Sequence, residues 1–140
     1  MSDGAKTGQC LCGAVKYTAY GPKDELHACH CPTCQKWAGG VFVGLEVERL
    51  DVPESEALGV FKSSEWAERL YCTACGTNLA WRLQDGGMPI VTAASLDEPA
   101  KAELTLEYYI DTKPDGYALA GDHKRLTRQE VEALFGGDGG

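Results

Sequence analysis

The placement of cysteine constrains this chain more than any other feature. All seven cysteines fall in three short clusters, Cys10-Leu-Cys12, Cys29-His-Cys31-Pro-Thr-Cys34 and Cys72-Thr-Ala-Cys75-Gly76. The number is odd and the opening MSDGAKTGQC lacks the apolar stretch of a secretory signal. A disulfide framework therefore fits badly, and a cytoplasmic, reducing setting is expected. Clustered thiols are what metal ligation demands. In Cys72-Thr-Ala-Cys75-Gly76 a tight turn aims two thiolates and the following N–H groups at one ion, with Gly76 able to take left-handed backbone. Cys31-Pro-Thr-Cys34 repeats the spacing, with Pro32 presetting the turn. Cys10/Cys12 and Cys29/Cys31 are spaced by two, which in an extended segment puts both sulfurs on one face and turns Leu11 and His30 away.

Thiolates select zinc, or iron in some settings, over hard cations. Seven divides into a complete set of four, which would be structural, and a set of three. Three leaves a fourth position for water or substrate, the usual mark of a catalytic zinc, unless a histidine or a non-protein ligand closes it. Spacing does not say which cysteines share an ion, since Cys31/Cys34 with Cys72/Cys75 would also make a zinc ribbon. A thioredoxin-like dithiol is disfavoured, because it needs a C-x-x-C at a strand-to-helix junction and no helical pattern follows either motif.

The rest of the chain reads as β. Short strand-like runs cover 14–20, 40–47, 58–62, 66–71, 78–83, 89–93 and 104–111, several of them alternating, as in Val41, Val43, Leu45 and Val47. Gly and Pro punctuate the gaps at Gly21-Pro22, Asp85-Gly-Gly87 and Lys113-Pro-Asp-Gly116. Helical crossovers between strands are absent, so the expected fold is mainly β, with mostly antiparallel pairing. One helix is marked, over 128–135, by a Thr127/Glu130 capping box, a Leu126/Val131 staple and a stop at Gly136. At 140 residues, with 44% apolar residues and 24% charged, the chain fits one domain over 1–135 and a disordered glycine-rich tail over 136–140. A net charge of −8 is the wrong sign for gathering phosphates, so nucleic acid is not the expected partner. No apolar run approaches the roughly 18 residues of a membrane span. An edge strand or the C-terminal helix is where a second subunit would pair to make a homo-oligomer, although neither advertises it.

Taken in order, Gly8-Gln-Cys10-Leu-Cys12-Gly13-Ala-Val15-Lys-Tyr17, then Cys29-His-Cys31-Pro-Thr-Cys34, then Arg69-Leu-Tyr-Cys72-Thr-Ala-Cys75-Gly76-Thr-Asn-Leu79 resemble the glutathione-dependent formaldehyde-activating enzyme family. The resemblance runs over about residues 8–96 and fades beyond. There the family often shows a His-Ile strand start and Lys-x-x-Trp, where this chain has Glu107-Tyr-Tyr-Ile110 and Lys113-Pro-Asp-Gly116. It implies a zinc-bound β-tent of small antiparallel sheets. It also implies a structural zinc on Cys10, Cys12, Cys72 and Cys75, a catalytic zinc on Cys29, Cys31 and Cys34, and a carbon–sulfur lyase acting on glutathione, or a similar thiol, and a small aldehyde such as formaldehyde.

An anionic thiol approaching an acidic protein needs local positive charge. Lys36 and Arg69 stand nearest the clusters, with Lys62 in the strand before, and Arg69 could fork onto a carboxylate unless it is simply a solvated strand cation. Ser63 and Ser64 are further donor candidates or turn formers, and Trp37 either walls a pocket or fills the core. His30 is expected to pack away from the sulfurs, and His123, in the charged Gly121-Asp-His-Lys124 loop, to be exposed. The alternative to an enzyme is a non-catalytic zinc module that binds a protein partner, which would require the three-cysteine set to be closed by a fourth side chain.

Overall fold

The computed structural model describes residues 4–135. Strands β1 (Ala5–Gln9) and β2 (Lys16–Tyr20) form an antiparallel hairpin, and β2 also pairs with β5 (Arg49–Asp51) to make a three-stranded sheet. The remaining strands are β3 (Glu25–Cys29), β4 (Phe42–Glu46), β6 (Leu58–Phe61), β7 (Ala67–Cys72), β8 (Asn78–Leu83), β9 (Ile90–Thr92), β10 (Glu103–Tyr108) and β11 (Lys124–Leu126). They join in one eight-stranded sheet ordered β11-β10-β3-β4-β9-β8-β7-β6. The mainly β expectation is met, with one qualification: β10 runs parallel to both its neighbours, β3 and β11. Parallel neighbours cannot be joined by a tight hairpin. The chain between β10 and β11 accordingly takes a 3-10 turn at Ile110–Thr112 and a long loop, a connection that leaves no periodic signal in sequence.

The alternation read from sequence buries Val15, Tyr17 and Ala19, and Leu45 and Val47, whereas Val41 and Val43 are only half-buried and Phe42 between them is buried. Tyr17 and Ala19 of β2 pack with Val15, Leu45, Val47, Leu70, Leu79 and Val91 in one core. Gly8 of β1 is needed there, because a Cβ on it would stand 2.2 Å from the Tyr17 ring. The Tyr17 hydroxyl in turn lies 2.7 Å from Ser95 Oγ, beside the bridge between Gly8 and Leu96 that links the small sheet to the chain after β9.

A second core gathers Phe42, Tyr109, Leu126 and Val131 around Cys31 and Cys34. It is closed by α2 (Arg128–Phe135), whose capping box forms in both directions: the Thr127 N–H donates to Glu130 Oε1 at 2.9 Å and the Glu130 N–H to Thr127 Oγ1 at 3.3 Å. Leu126 and Val131 are both buried, as a staple requires. Gly136 and the glycine-rich tail lie outside the described residues.

Sequence reasoning missed a second helix, α1 (Pro32–Ala38), which directly follows the central cysteines. It is too short for helical periodicity to show, and its terminal residues define it instead. Pro32 opens the first turn, Cys31 is the N-cap, and Gly39 stops it in left-handed backbone at φ 78°. No helix among the described residues is long and apolar enough to cross a membrane.

Candidate metal centres and the adjoining cleft

The fold gathers the seven cysteines into two groups. In each, the sulfurs lie within 4.8 Å of one another: Cys10, Cys12, Cys72 and Cys75 in one, and Cys29, Cys31 and Cys34 in the other. The alternative ribbon of Cys31/Cys34 with Cys72/Cys75 is not formed.

The four-sulfur group comes from the β1–β2 loop of the small sheet and the β7–β8 turn of the large one, so it staples the two sheets together. Cys10 and Cys12 do not lie in an extended segment as their spacing suggested. The Gly13 N–H reaches back to the Cys10 carbonyl at 3.1 Å, and this turn leaves Leu11 87% exposed. The Val15 N–H donates to Cys10 Sγ at 3.3 Å and the Cys75 N–H to Cys72 Sγ at 3.4 Å, and Gly76 is left-handed at φ 84°. The Thr77 hydroxyl, first, and its backbone N–H bring the Cys75 thiol down to about 5. Amide donors aimed at sulfur, in a four-thiolate set, fit a structural zinc.

The three-sulfur group is local in sequence. Cys29 ends β3, Cys31 caps α1, and Cys34 sits one turn into the helix with its N–H on Cys31 Sγ at 3.3 Å. Cys31 and Cys34 are each 4% exposed. Hydrogen bonding by Cys29, then by Cys34, with help from the Arg69 charge, brings the Cys31 thiol down to about 3. The same contacts push Cys29 well above the ordinary thiol range. Three thiols this close share one negative charge readily but ionise together only around a cation, so the donor set fits a thiophilic dication. Among the described residues no fourth cysteine, histidine or carboxylate joins it. A redox dithiol gains a helix it was not expected to have, yet Cys29 beside the C-x-x-C makes the arrangement that of a ligand set.

Beside this group lies a cleft of about 410 Å³ lined by Pro32, Thr33, Lys36, Trp37, Phe61, Ser63 and Arg69. Four of the five residues singled out for substrate therefore line one cleft. Lys36 is exposed on α1, and Trp37 packs edge-on against Phe42 at 5.5 Å between centroids. Ser64 is not among the lining residues. Its Oγ accepts from the N–H groups of Trp66 at 3.4 Å and Ala67 at 3.1 Å, which is a turn-forming role. Lys62 is exposed and also absent from the lining. Arg69 is not a solvated cation. It has no exposed surface, its Nη2 stands 3.6 Å from Cys34 Sγ, and its guanidinium lies 4.9 Å from the Trp37 ring centroid. Phe61, a wall residue 58% exposed at the end of β6, went unnoticed in sequence because it reads as an ordinary strand residue.

His30 turns away from the sulfurs, as strand parity required, and is fully buried. Its Nε2 lies 2.6 Å from Oε1 of Glu107, which is also fully buried. The other Glu107 oxygen takes His123 and, at 3.1 Å, Arg125 Nε. His123 is thus not exposed but 3% accessible at its side chain, because a buried carboxylate draws it in. Desolvation opposes the Glu107 charge, and the hydrogen bonds from His123 and His30 overcome it, holding the carboxyl below its ordinary value. The backbone of His30 is pinned too. Its N–H donates to the Tyr108 carbonyl at 3.0 Å, and its carbonyl accepts from Gln35 Nε2 at 2.6 Å and Thr112 Oγ1 at 2.8 Å. The segment from Glu107 to Thr112 therefore positions the Cys29–Cys31 segment, and it lies beyond residue 96, where the resemblance read from sequence stopped.

These observations define a small β domain with a sheet-stapling four-cysteine group and a three-cysteine group beside a cleft. The chain belongs to the glutathione-dependent formaldehyde-activating enzyme family, whose model matches residues 5–112. An uncharacterized lyase of Schizosaccharomyces pombe is 33% identical over 126 residues, covering 89% of this chain and 92% of that protein. A Halomonas elongata protein, provisionally named a glutathione-dependent formaldehyde-activating enzyme, is 26% identical over 122 residues, covering 77% of this chain and 76% of its own. The crystal structure of a Rhodobacter sphaeroides protein shares the fold, with a TM-score of 0.54 at 18% identity over 86% of this chain and 99% of that one.

Proposed function

We propose that this protein is a zinc-dependent carbon–sulfur lyase that joins glutathione, or a related small thiol, with formaldehyde or another small aldehyde. The observation that carries this reading is the three-sulfur group with no fourth protein ligand among the described residues, set against a cleft with cations and aromatic walls. Family membership and the lyase name of the fission-yeast relative support it.

Cys10, Cys12, Cys72 and Cys75 would hold a structural zinc, and Cys29, Cys31 and Cys34 a second one. The second ion would supply an open coordination position that favours thiolate over thiol or polarises a carbonyl oxygen. In the forward direction the thiol sulfur attacks the aldehyde carbon, the carbon–sulfur bond forms, the carbonyl π pair moves to oxygen, and the thiol proton ends on that oxygen. The chain's own contribution is positioning and charge. Lys36 at the exposed lip draws an anionic substrate to a chain of net charge −8. Trp37 and Phe61 form apolar walls that displace water from the thiol's path, and Ser63 lines the cleft beside them. The free thiols suit a reducing, cytoplasmic compartment.

The test is the exchange rate between formaldehyde plus glutathione and S-hydroxymethylglutathione, followed by NMR with zinc-loaded protein and its Cys31→Ala variant. Acceleration by the parent alone supports the lyase. Absence of acceleration by the fully loaded parent removes this substrate pair, and a Cys31→Ala effect on stability alone would favour a non-catalytic zinc module.

A further inference from the structure

Among the described residues the two sheets end in four edge strands, β1, β5, β6 and β11, and a bare edge invites pairing with another chain. Three of the four are guarded. β1 carries Lys6 and is met by the chain after β9, through the bridge between Gly8 and Leu96 and the Asp97 N–H on the Thr7 carbonyl at 2.9 Å. β5 is the charged triplet Arg49-Leu50-Asp51, and β11 opens with Lys124 and Arg125. β6, Leu58-Gly59-Val60-Phe61, holds neither charge nor proline, and it pairs on one side only, with β7. Val60, Phe61 and, just beyond the strand, Trp66 are exposed apolar side chains.

The hydrogen-bond ladder fixes what this edge offers. The Thr73 N–H donates to the Ala57 carbonyl at 2.7 Å, whereas the Cys72 N–H turns the other way, to the Thr77 carbonyl at 2.9 Å. By alternation Gly59 and Phe61 bond to β7, and the N–H and C=O of Val60 face outward. The charges flanking the strand differ in sign at its two ends. Glu54 and Glu56 precede it and Lys62 follows it, all three exposed and, among the described residues, without an ion pair. Two such strands laid antiparallel bring the acidic end of each against the lysine end of the other. We propose that β6 is the interface of a homodimer, in which two copies pair antiparallel about a twofold axis at Val60 and join their large sheets. Each Val60 exchanges both backbone bonds with its counterpart, and Lys62 of each copy faces the Glu56 end of the other. Phe61 also lines the cleft, so the second copy runs along the cleft rim. A strand this short makes a small interface, and the dimer forms only at high concentration.

Sedimentation equilibrium of the zinc-loaded full chain, from about 1 µM to about 1 mM, reads the association. The parent passes from monomer to dimer across this range. Val60→Lys sets two like charges together on the axis and leaves the chain monomeric throughout. Lys62→Glu weakens the dimer about tenfold, since symmetry makes each contact twice, and adding Glu56→Lys restores it to within about threefold of the parent. All three positions are exposed, and thermal melts check that each variant keeps the fold. A parent that stays monomeric, or a dimer that Val60→Lys leaves intact, overturns the proposal. A dimer that Lys62→Glu leaves unchanged, or that Glu56→Lys does not restore, overturns the antiparallel pairing. If Val60→Lys does not fold, the Lys62→Glu chain and the doubly exchanged chain decide the matter by the same criteria.

Discussion

Replacing Glu107 by alanine is the sharpest test of how the C-terminal third supports the three-cysteine group. The Glu107 carboxylate is fully buried and holds three donors: His30 at 2.6 Å, His123, and Arg125 at 3.1 Å. Arg125 is 37% exposed at its side chain and can turn to water, so it contributes least. His30 and His123 have no such escape. Removing one member of a buried charged cluster costs about 3–5 kcal/mol, because the groups left behind lose their partner without regaining solvent. For a chain near this size, 1 kcal/mol moves Tm by roughly 3–4 °C, so Glu107→Ala lowers it by roughly 9–20 °C. Glu107→Gln, which keeps the shape and an acceptor, costs about 1–3 kcal/mol. The assay is urea and thermal unfolding of the zinc-loaded chain at neutral pH, with zinc content measured alongside. A loss below about 1 kcal/mol for Glu107→Ala would show that the cluster is not the tie described here.

Further outcomes follow from the same geometry. Because the folded-state pKa of Glu107 is depressed, its stabilisation is present above the ordinary carboxylate pKa and is lost as pH falls through the depressed value. Urea midpoints of the parent and Glu107→Gln therefore converge on acidification, and parallel curves would contradict the assignment. Cys72→Ala removes one zinc and lowers stability by several kcal/mol, since it cuts the staple between the sheets, whereas Cys31→Ala removes the other zinc and leaves most of the stability. Metal analysis with thermal melts separates the two. Gly8→Ala forces a Cβ to within 2.2 Å of the Tyr17 ring and costs about 1–3 kcal/mol, read as a lowered urea midpoint, and an unchanged midpoint would show that the ring has room to move.

Much of the architecture was legible in the sequence because its signals are local. The alternation of Tyr17 with Ala19 and of Leu45 with Val47, the Thr127/Glu130 capping box, and the turn glycine Gly76 all act within a few residues of themselves. Elements that depend on distant partners were not. β1, β3, β5 and β11 are short and weakly patterned, and they exist because neighbouring strands receive their backbone N–H and C=O groups. The parallel register of β10 depends on a crossing that covers most of the chain. At the site, thiol spacing pointed to four plus three but not to which cysteines share an ion. Two burial misreadings share one cause. Arg69 and His123 are charged or polar residues that a single sequence assigns to the surface, and each is buried against a partner, Cys34 or Glu107, that comes from another element. The one hint was Glu107 itself, a carboxylate inside an apolar strand run.

The central claim is that the two cysteine groups differ in one open position, and zinc X-ray absorption on the fully loaded chain tests it most directly. The account predicts two zinc ions per chain with an average sulfur coordination between three and four, rising to four when glutathione is added. A full set of protein ligands at both ions, with a spectrum that glutathione does not change, would contradict it.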